Sequence, residues 1–461
     1  MSSKNPKLTF CGGTGSVTGA NFLLESPAGD ALLVDCGMAQ GGREAALSNH
    51  EPFSYDPSHP KVLIVTHAHI DHIGRIPQLV ARGFNGQIVS TRATMELARP
   101  MLTDAAKVSA IDAQRYGGEP LYGQRDVEAA LAIWRGLPYH EEREVLPGVS
   151  LYLRNAGHIL GSATVRLSFA RQGKEPVNIA FTGDLGNAPT PLLPDPEPIP
   201  DADYLLSESV YGDRRHEGRE ERRSTLAEAI KRTIERGGTA LVPIFSLEKT
   251  QAILYELNEL IEGGELPRVP VFLDSPLAIA VTEIYSRHIA DMKDSVRQDA
   301  RGGDKIFDFP GLTLVNEHRD SGTLVSQQGA KIILAGSGMS EGGRIRAHEK
   351  ACLADKKNAV IIVGYQVLGS LGRKLKDGDR SVTIDGEHIP VRAEISWVSG
   401  YSSHADTDAL VSFAEAALPR LKKVFCAMGE PKAAMHLAQR LGDELGVEAV
   451  APERGDKVTL E

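Results

Sequence analysis

Cysteine is scarce in this chain of 461 residues, which contains only four: Cys11, Cys36, Cys352 and Cys426. They are widely spaced and lie mostly in apolar runs, so we expect reduced, buried thiols rather than a disulfide framework. No apolar run approaches the length of a membrane-spanning helix. The first residues lack the apolar segment of a signal peptide. These absences exclude a small disulfide-rich secreted domain, and we expect a cytoplasmic protein without a membrane partner.

The chain also lacks an excess of positive charge. It has 51 Lys and Arg against 61 Asp and Glu, which gives a net charge of −10. A basic balance would have indicated nucleic-acid binding. Its absence is weak evidence against such binding, because a metal-centred site can attract phosphates locally on an acidic protein. The hydrophobic content of 41% is that of a globular protein, and the length predicts two or more domains.

Histidine and aspartate are concentrated in the short segment 66–72, which contains His67, His69, Asp71 and His72. The segment follows the apolar run 62–65, which predicts a buried strand with the cluster in the loop at its carboxyl end. A single histidine often has only a packing role, but three so close together would be hard to satisfy in a core. Imidazole suits zinc, and a neighbouring carboxylate favours a hydrolytic site over a structural one.

Two further candidate ligands follow later strands. His158 lies in the glycine-flanked turn 156–162, and Asp184 lies between glycines directly after the predicted strand 177–181. Flanking glycines let the backbone bend so that a short side chain can face a metal. Either residue alone could be an ordinary turn residue. With the first cluster they complete a ligand set.

The pattern of predicted strands and helices changes along the chain. The first part is dominated by short strands, which favours two sheets. Beyond the proline-rich connection 189–200, strands and helices alternate, which predicts a parallel, doubly wound sheet. We therefore predict an inserted domain at 210–382 within a first domain that comprises 1–209 and the return segment 383–461.

The motifs together resemble those of the metallo-β-lactamase fold, in which Asp35 matches the first motif. The segment that interrupts them resembles the β-CASP domain, with Gly336–Met339 and Gly364–Gln366 as its motifs. The chain is therefore similar to β-CASP nucleases. Among them it resembles the bacterial and archaeal relatives of the endonuclease subunit of the eukaryotic mRNA 3′-end cleavage complex. The resemblance implies an α/β fold: an αββα metallo-β-lactamase sandwich with an inserted parallel-sheet α/β β-CASP domain.

The resemblance also implies two zinc ions. One would be held by His67, His69, His158 and Asp184. The second would be held by Asp71, His72 and the shared Asp184. Metal-bound hydroxide would attack phosphorus, and Asp35 would orient the ligand loop.

Catalytic roles are implied for Asp71, Glu208 and His404. Glu208 would orient His404, and His404 would protonate the leaving oxygen as a general acid. Ser403 would help to hold the phosphate. The alternative for His404 is that it caps a helix or faces solvent.

One motif departs from the family pattern. Met428 stands where RNA-processing members have the histidine that completes the second zinc site. A thioether is a poor ligand for a zinc ion that must also carry hydroxide, so we expect a weakened second site. Because DNA-acting relatives have an apolar residue here, a DNA nuclease of the same superfamily stays open. A nucleic-acid-binding protein with an impaired second metal site is a further alternative.

The glycine motifs of the insert resemble the RNA-processing branch, so we expect a ribonuclease of RNA processing or decay that acts on single-stranded RNA. A lactamase-like hydrolase of small substrates would leave the insert without a purpose. The resemblance leaves a homo-oligomer open. Basic clusters are expected to favour a polyanion; they comprise Arg214, Arg215, Arg219, Arg222, Arg223, Arg344, Arg346, Arg373, Lys374 and Lys376.

Overall fold

The computed structural model describes residues 5–461, and the chain divides into two units. The first comprises Met1–Arg215 and Ser403–Glu461, and the second is His216–Ser402. The predicted insert, 210–382, stays a prediction as a domain assignment. The second unit extends further along the chain because the strand Glu394–Trp397 pairs in parallel with Ala359–Ile362 of its sheet.

The strands of the described chain are β1 (Lys7–Gly12), β2 (Asn21–Glu25), β3 (Ala31–Val34), β4 (Pro60–Ile64), β5 (Gln87–Thr91), β6 (Trp134–Leu137), β7 (Arg143–Leu146), β8 (Val149–Asn155), β9 (Ala163–Arg171), β10 (Lys174–Phe181), β11 (Tyr204–Glu208), β12 (Thr239–Ile244), β13 (Val271–Asp274), β14 (Leu312–Leu314), β15 (Lys331–Gly336), β16 (Ala359–Ile362), β17 (Ser381–Ile384), β18 (Glu387–Pro390), β19 (Glu394–Trp397), β20 (Lys423–Ala427), β21 (Glu448–Val450) and β22 (Lys457–Thr459).

The α-helices are α1 (Gly42–Ser48), α2 (Ile70–Ile73), α3 (Ile76–Ala81), α4 (Arg92–Tyr116), α5 (Gln124–Ala132), α6 (Arg222–Glu235), α7 (Lys249–Glu262), α8 (Pro276–Arg287), α9 (Asp294–Arg301), α10 (His318–Leu324), α11 (Ile345–Cys352), α12 (Leu371–Asp377), α13 (Thr407–Glu415) and α14 (Pro431–Leu445). A 3₁₀ turn covers Ile289–Asp291. None of the described helices combines the length and the apolar character that a bilayer crossing requires.

The first unit is built on two seven-stranded sheets. Their orders are β22-β1-β2-β3-β4-β5-β6 and β21-β20-β11-β10-β9-β8-β7. The sheets face each other across an apolar core, in which the rings of Phe10 and Phe425 are 5.4 Å apart and those of Phe22 and Phe181 are 5.9 Å apart. Helices α13 and α14 pack against strands of the second sheet, and α4 packs against β5 and β6 of the first. This is the αββα sandwich that the sequence predicts.

The second unit is built on a six-stranded sheet of order β14-β13-β15-β12-β16-β19. Every pairing in it is parallel. Strands β12, β13 and β16 are buried along their whole length, as expected for a sheet with both faces covered. Strands β17 and β18 form a separate antiparallel hairpin. The predicted parallel α/β sheet is confirmed.

Strand direction in the first unit determines where polar side chains can gather. Strands β3 and β4 run in parallel, so Asp35 and the ligand loop 66–72 leave the first sheet at the same edge. Strands β10, β11 and β20 are also parallel, so Asp184, Glu208 and Met428 lie at the corresponding edge of the second sheet.

Candidate metal centre and active site

The ligand loop after β4 is held in place by a buried carboxylate. Asp35 accepts hydrogen bonds from the Thr66 backbone N–H (2.8 Å) and the Thr66 hydroxyl (2.8 Å), and its Oδ2 lies 2.7 Å from His72 Nδ1. Because a carboxylate only accepts, it fixes the proton of His72 on Nδ1 and leaves Nε2 free to bind a metal. The Thr66 hydroxyl also lies 3.0 Å from His67 Nδ1. Asp35 therefore aligns two of the loop's imidazoles.

A first cluster of four donors forms where the loop meets the turns after β8 and β10. His69 Nδ1 lies 3.1 Å from His67 Nε2 and 3.2 Å from His158 Nε2. Asp184 Oδ2 lies 3.4 Å from His67 Nε2 and 3.5 Å from His158 Nε2. Ligands at the usual zinc–nitrogen distance around a tetrahedral ion are about 3.3 Å apart. The four residues therefore fit one tetrahedral metal ion.

A second cluster shares Asp184 with the first. Asp71, His72 and Asp184 can each direct one donor atom to a common point. His72 Nε2 lies 3.3 Å from Asp184 Oδ1, and both atoms are buried without a hydrogen-bond partner in the described part of the chain. Two buried polar atoms left unpaired side by side are costly unless a cation lies between them. The geometry thus fits a second metal ion with three protein ligands.

Charge is distributed over the first cluster as metal ligation requires. Burial lowers the pKa of His69 and His158 well below the usual range, and the pKa of His67 is also lowered, by burial and by its neighbour His72. Although burial opposes it, the neighbouring His72 and His67 imidazoles hold the pKa of Asp184 well below its usual value. Neutral imidazoles and an ionised carboxylate are the forms that bind metal.

Glu208 and His404 form a hydrogen-bonded pair beside Asp184. Glu208 ends β11 and is fully buried, and its Oε2 lies 3.0 Å from His404 Nδ1 while its Oε1 accepts the Leu185 backbone N–H. His404 Nδ1 lies 3.8 Å from Asp184 Oδ2. Although burial lowers it, the neighbouring Glu208 and Asp184 carboxylates raise the pKa of His404 to about 9. The two carboxylates therefore favour the protonated form of the His404 imidazole.

Ser403 contributes through its backbone. Its carbonyl lies 3.0 Å from His158 Nδ1, which fixes the proton on Nδ1 and leaves Nε2 free for a metal. The same carbonyl accepts a hydrogen bond from the backbone N–H of Asn187 at 3.1 Å. This contact could not be expected from the residue types, because a backbone acceptor carries no residue preference. A role for the Ser403 hydroxyl in holding a phosphate stays a prediction.

Met428 lies at the end of β20, at the edge that carries the site. Its side chain is 2% exposed and belongs to the apolar core between the sheets. Its backbone has a φ of 46°, donates a hydrogen bond to the Gly13 carbonyl at 2.6 Å and accepts one from Ser209 N–H at 3.2 Å. A Cβ built on Gly13, whose φ is 71°, would lie 2.6 Å from Met428 Sδ, so the thioether packs directly against this glycine.

The structure brings together all the side chains that the sequence analysis proposed as ligands, together with Glu208 and His404. Their individual roles in metal binding and catalysis stay predictions. Asp35 lies where the analysis expected it, behind the ligand loop. Thr66, whose hydroxyl links Asp35 to His67, was not expected to belong to the site. Its position directly before the first ligand is its only sequence signal.

Comparisons with known proteins agree with this architecture. Residues 17–231 match the model of the metallo-beta-lactamase superfamily. Residues 250–375 match the Beta-Casp domain, and residues 388–452 match the Zn-dependent metallo-hydrolase RNA specificity domain. A crystal structure of a protein of unknown function from Enterococcus faecalis V583 covers 99% of this chain and is itself covered completely, with a TM-score of 0.55 and 12% identity, which supports the fold alone.

Curated relatives extend the likeness over most of the chain. Ribonuclease TTHA0252 from Thermus thermophilus is 40% identical over 402 residues, which are 87% of this chain and 89% of that protein. Transcription termination factor FttA from Methanosarcina mazei is 31% identical over 98% of this chain and 71% of its own length. Cleavage and polyadenylation specificity factor 73 from Drosophila melanogaster is 30% identical over 86% of this chain, which spans 56% of that protein. This chain therefore belongs to the β-CASP nuclease family of the metallo-β-lactamase superfamily, whose members are metal-dependent hydrolases.

Proposed function

We propose that this protein is a zinc-dependent ribonuclease that hydrolyses phosphodiester bonds of RNA. The observation that carries the proposal is the pair of donor clusters that share Asp184, with the Glu208–His404 pair beside them. Its relatives include a protein named as a ribonuclease, and the return segment matches an RNA specificity domain. A cytoplasmic location, single-stranded RNA as substrate and a homo-oligomer remain predictions within this proposal.

Zinc is the metal that the donor set favours. Three imidazoles and one carboxylate at near-tetrahedral spacing suit zinc better than magnesium or calcium, which prefer oxygen ligands. His67, His69, His158 and Asp184 would hold the first ion. Asp71, His72 and Asp184 would hold the second, which Met428 leaves without a fourth protein ligand. When bound, zinc supplies Lewis-acid chemistry, because it polarises a phosphoryl oxygen and acidifies water.

Glu208 and His404 together supply the proton that the leaving group needs. The Glu208 carboxylate accepts the Nδ1 proton of His404, so the transferable proton of the imidazolium is on Nε2. His404 donates that proton to the oxygen that leaves phosphorus, because an alkoxide is a poor leaving group. Glu208 keeps the ring oriented, and its second oxygen is held by the Leu185 backbone.

The test compares purified protein and variants on labelled single-stranded RNA and matched DNA in the presence of zinc. His404→Ala is expected to lower kcat on RNA by about 10²–10⁴-fold, the usual contribution of a general acid, without changing the zinc content. The exposed His59 provides a control, since His59→Ala removes an imidazole remote from the donor clusters. A phosphodiester with a p-nitrophenolate leaving group needs no proton, so His404→Ala should lose far less activity on it.

The competing candidate is a DNA nuclease of the same superfamily, which the apolar Met428 favours. Cleavage of DNA without cleavage of RNA by the parent protein would refute the ribonuclease. Equal losses for His404→Ala on both leaving groups would refute the acid role of His404 and leave the choice of substrate untouched.

A further inference from the structure

The second unit contains motifs that the metal centre does not use. They leave the parallel sheet at its carboxyl edge: the loop 245–249 follows β12, Gly336–Met339 ends β15, and Gly364–Gln366 follows β16. In open α/β sheets, ligands bind outside the carboxyl ends of the strands where the connections diverge to opposite faces.

The strand order locates that point in this sheet. From β12 the chain moves two positions to one side to reach β13, and from β15 it moves two positions to the other side to reach β16. Because parallel crossovers are right-handed, connections that run in opposite directions lie on opposite faces of the sheet. The carboxyl ends of the neighbouring strands β12 and β15 therefore border the place where ligands bind in such sheets, which we call the switch crevice.

Phe245 and Lys249 line the switch crevice from the β12 side. A Cβ built on Gly338 would lie 2.3 Å from the Phe245 ring, and one on Gly364 would lie 2.8 Å from it, so the ring packs directly on both glycine backbones. Lys249 Nζ lies 4.8 Å from the centroid of the same ring and would be 3.3 Å from a Cβ on Gly364. A side chain at either glycine would therefore crowd the ring, and one at Gly364 would also crowd the ammonium.

The ammonium group of Lys249 has no counter-charge in the described part of the chain. Among the residues that the structure describes, no acceptor or carboxylate is recorded for its Nζ, and burial alone lowers its pKa to about 8. The carboxylate of the neighbouring Glu248 instead accepts a hydrogen bond of 2.6 Å from the Tyr285 hydroxyl. Lys249 is also the first residue of α7, whose first turn has no side-chain cap. A partly buried ammonium at an uncapped helix start is unfavourable until an anion reaches it.

Several of the basic residues that were expected to attract a polyanion are paired with carboxylates, unlike Lys249. Five arginines of the second unit each form an ion pair with a carboxylate at 2.6–3.1 Å: Arg222, Arg223, Arg344, Arg346 and Arg373. These ion pairs largely neutralise the charges of the five arginines within the protein. Lys249 differs from them because its surroundings are aromatic and glycine backbone.

An exposed aromatic ring stands next to the crevice. Tyr365 follows Gly364 directly and is 58% exposed. Exposed rings beside a cation are the usual means by which proteins hold single-stranded nucleic acid, since the base stacks on the ring while the cation meets the backbone.

We propose that the switch crevice binds one nucleotide of the RNA substrate, with a phosphodiester oxygen on Lys249 Nζ and a base stacked on Tyr365. This subsite rests on the proposed ribonuclease function and adds a nucleotide contact within the second unit. It would contribute affinity, not chemistry.

The test measures binding of a short labelled single-stranded RNA at several salt concentrations, in the His404→Ala background so that the RNA is cleaved slowly. Lys249→Met is expected to weaken binding about tenfold, as for loss of a charged hydrogen bond, and to reduce the slope of log K against log salt by about 0.7. Lys249→Arg should keep the parental slope. Lys356→Met is the matched control, because Lys356 is exposed and precedes β16 at the opposite edge of the same sheet.

Two further readouts separate a binding role from a structural one. Lys249→Met should not lower Tm, because it removes an unpaired, partly buried charge. Tyr365→Ala should weaken binding about fivefold or more, and Tyr365→Phe should not, because stacking needs only the ring. A salt slope for Lys249→Met equal to that of Lys356→Met would overturn the subsite while the parent still cleaves RNA. A parent that neither binds nor cleaves RNA would overturn the ribonuclease and the subsite together.

Discussion

Replacing Asp35 by asparagine should reverse the proton arrangement behind the metal ligands. In the parent, Asp35 Oδ1 accepts the Thr66 N–H, while Oδ2 faces both the Thr66 hydroxyl and His72 Nδ1. An asparagine that keeps its oxygen toward the Thr66 N–H must present its NH₂ group to the other two atoms. Both would then have to accept hydrogen bonds.

The substitution would change the protonation of two metal ligands, His72 and His67. His72 would accept at Nδ1 and carry its proton on Nε2, the atom that faces Asp184 Oδ1 at 3.3 Å. The Thr66 hydroxyl, no longer donating to residue 35, would turn its hydrogen toward His67 Nδ1, which lies 3.0 Å away. An imidazole protonated on its ligating nitrogen cannot bind a metal.

The expected loss of zinc affinity follows from other metal sites in which the hydrogen-bond partner of a ligand was removed. Removing such a partner lowers metal affinity by about 10–100-fold, or about 1.4–2.8 kcal/mol. Zinc affinity is measured by competition with a chromogenic chelator, and zinc per chain by elemental analysis after dialysis. Asp112→Asn is the control, since Asp112 is an exposed carboxylate on α4. Parental zinc affinity in Asp35→Asn, with the fold intact by circular dichroism, would refute the tautomer argument.

Three other outcomes are expected. Glu349 is fully buried, and burial raises its pKa to about 8. Folding therefore favours its protonated form, and the parent should lose stability relative to Glu349→Gln by up to about 1.4 kcal/mol per pH unit between pH 4.5 and 8; a difference in urea unfolding free energy that stays constant over this range would contradict it. Gly338→Ala should cost about 1–3 kcal/mol of unfolding free energy, because the new methyl group overlaps the Phe245 ring; unchanged unfolding would show that the ring is free to move. Met428→His should lower the Tm of zinc-free protein, since it buries an imidazole, and raise the number of zinc ions held per chain in calorimetric titration; parental stoichiometry would count against Met428 as the cause of a weakened second site.

The order of elements was readable from local pattern. The apolar run 62–65 predicted β4, and the alternation beyond residue 200 predicted a parallel sheet, because fully buried parallel strands are apolar along their length. Helix boundaries are harder to read from the sequence: Thr225 and Glu228 have the spacing of a capping box, yet α6 already begins at Arg222. Helix ends depend on capping contacts that local propensity describes poorly.

The chemistry of the site was also present in the sequence, because imidazole and carboxylate groups at strand ends have few other uses in such density. His67, His69, Asp71 and His72 are neighbours in the chain, so their meeting needed no tertiary information. The partners that fix their protons were harder to find. The carbonyl of Ser403 that orients His158 is 245 residues away, and a backbone acceptor leaves no trace in residue type.

The sequence by itself determined the donor atoms, the strand ends that carry them and the departure at Met428, since each depends on residue type and local periodicity. Only the tertiary structure decided that the Ser403 carbonyl orients His158, that Met428 lies in the apolar core, and that Lys249 has no carboxylate partner among the described residues while five arginines of the second unit have one. The physical reason is the same in each case. Whether a group is paired depends on which edges of the sheets meet, and long-range packing, not local sequence, brings those edges together.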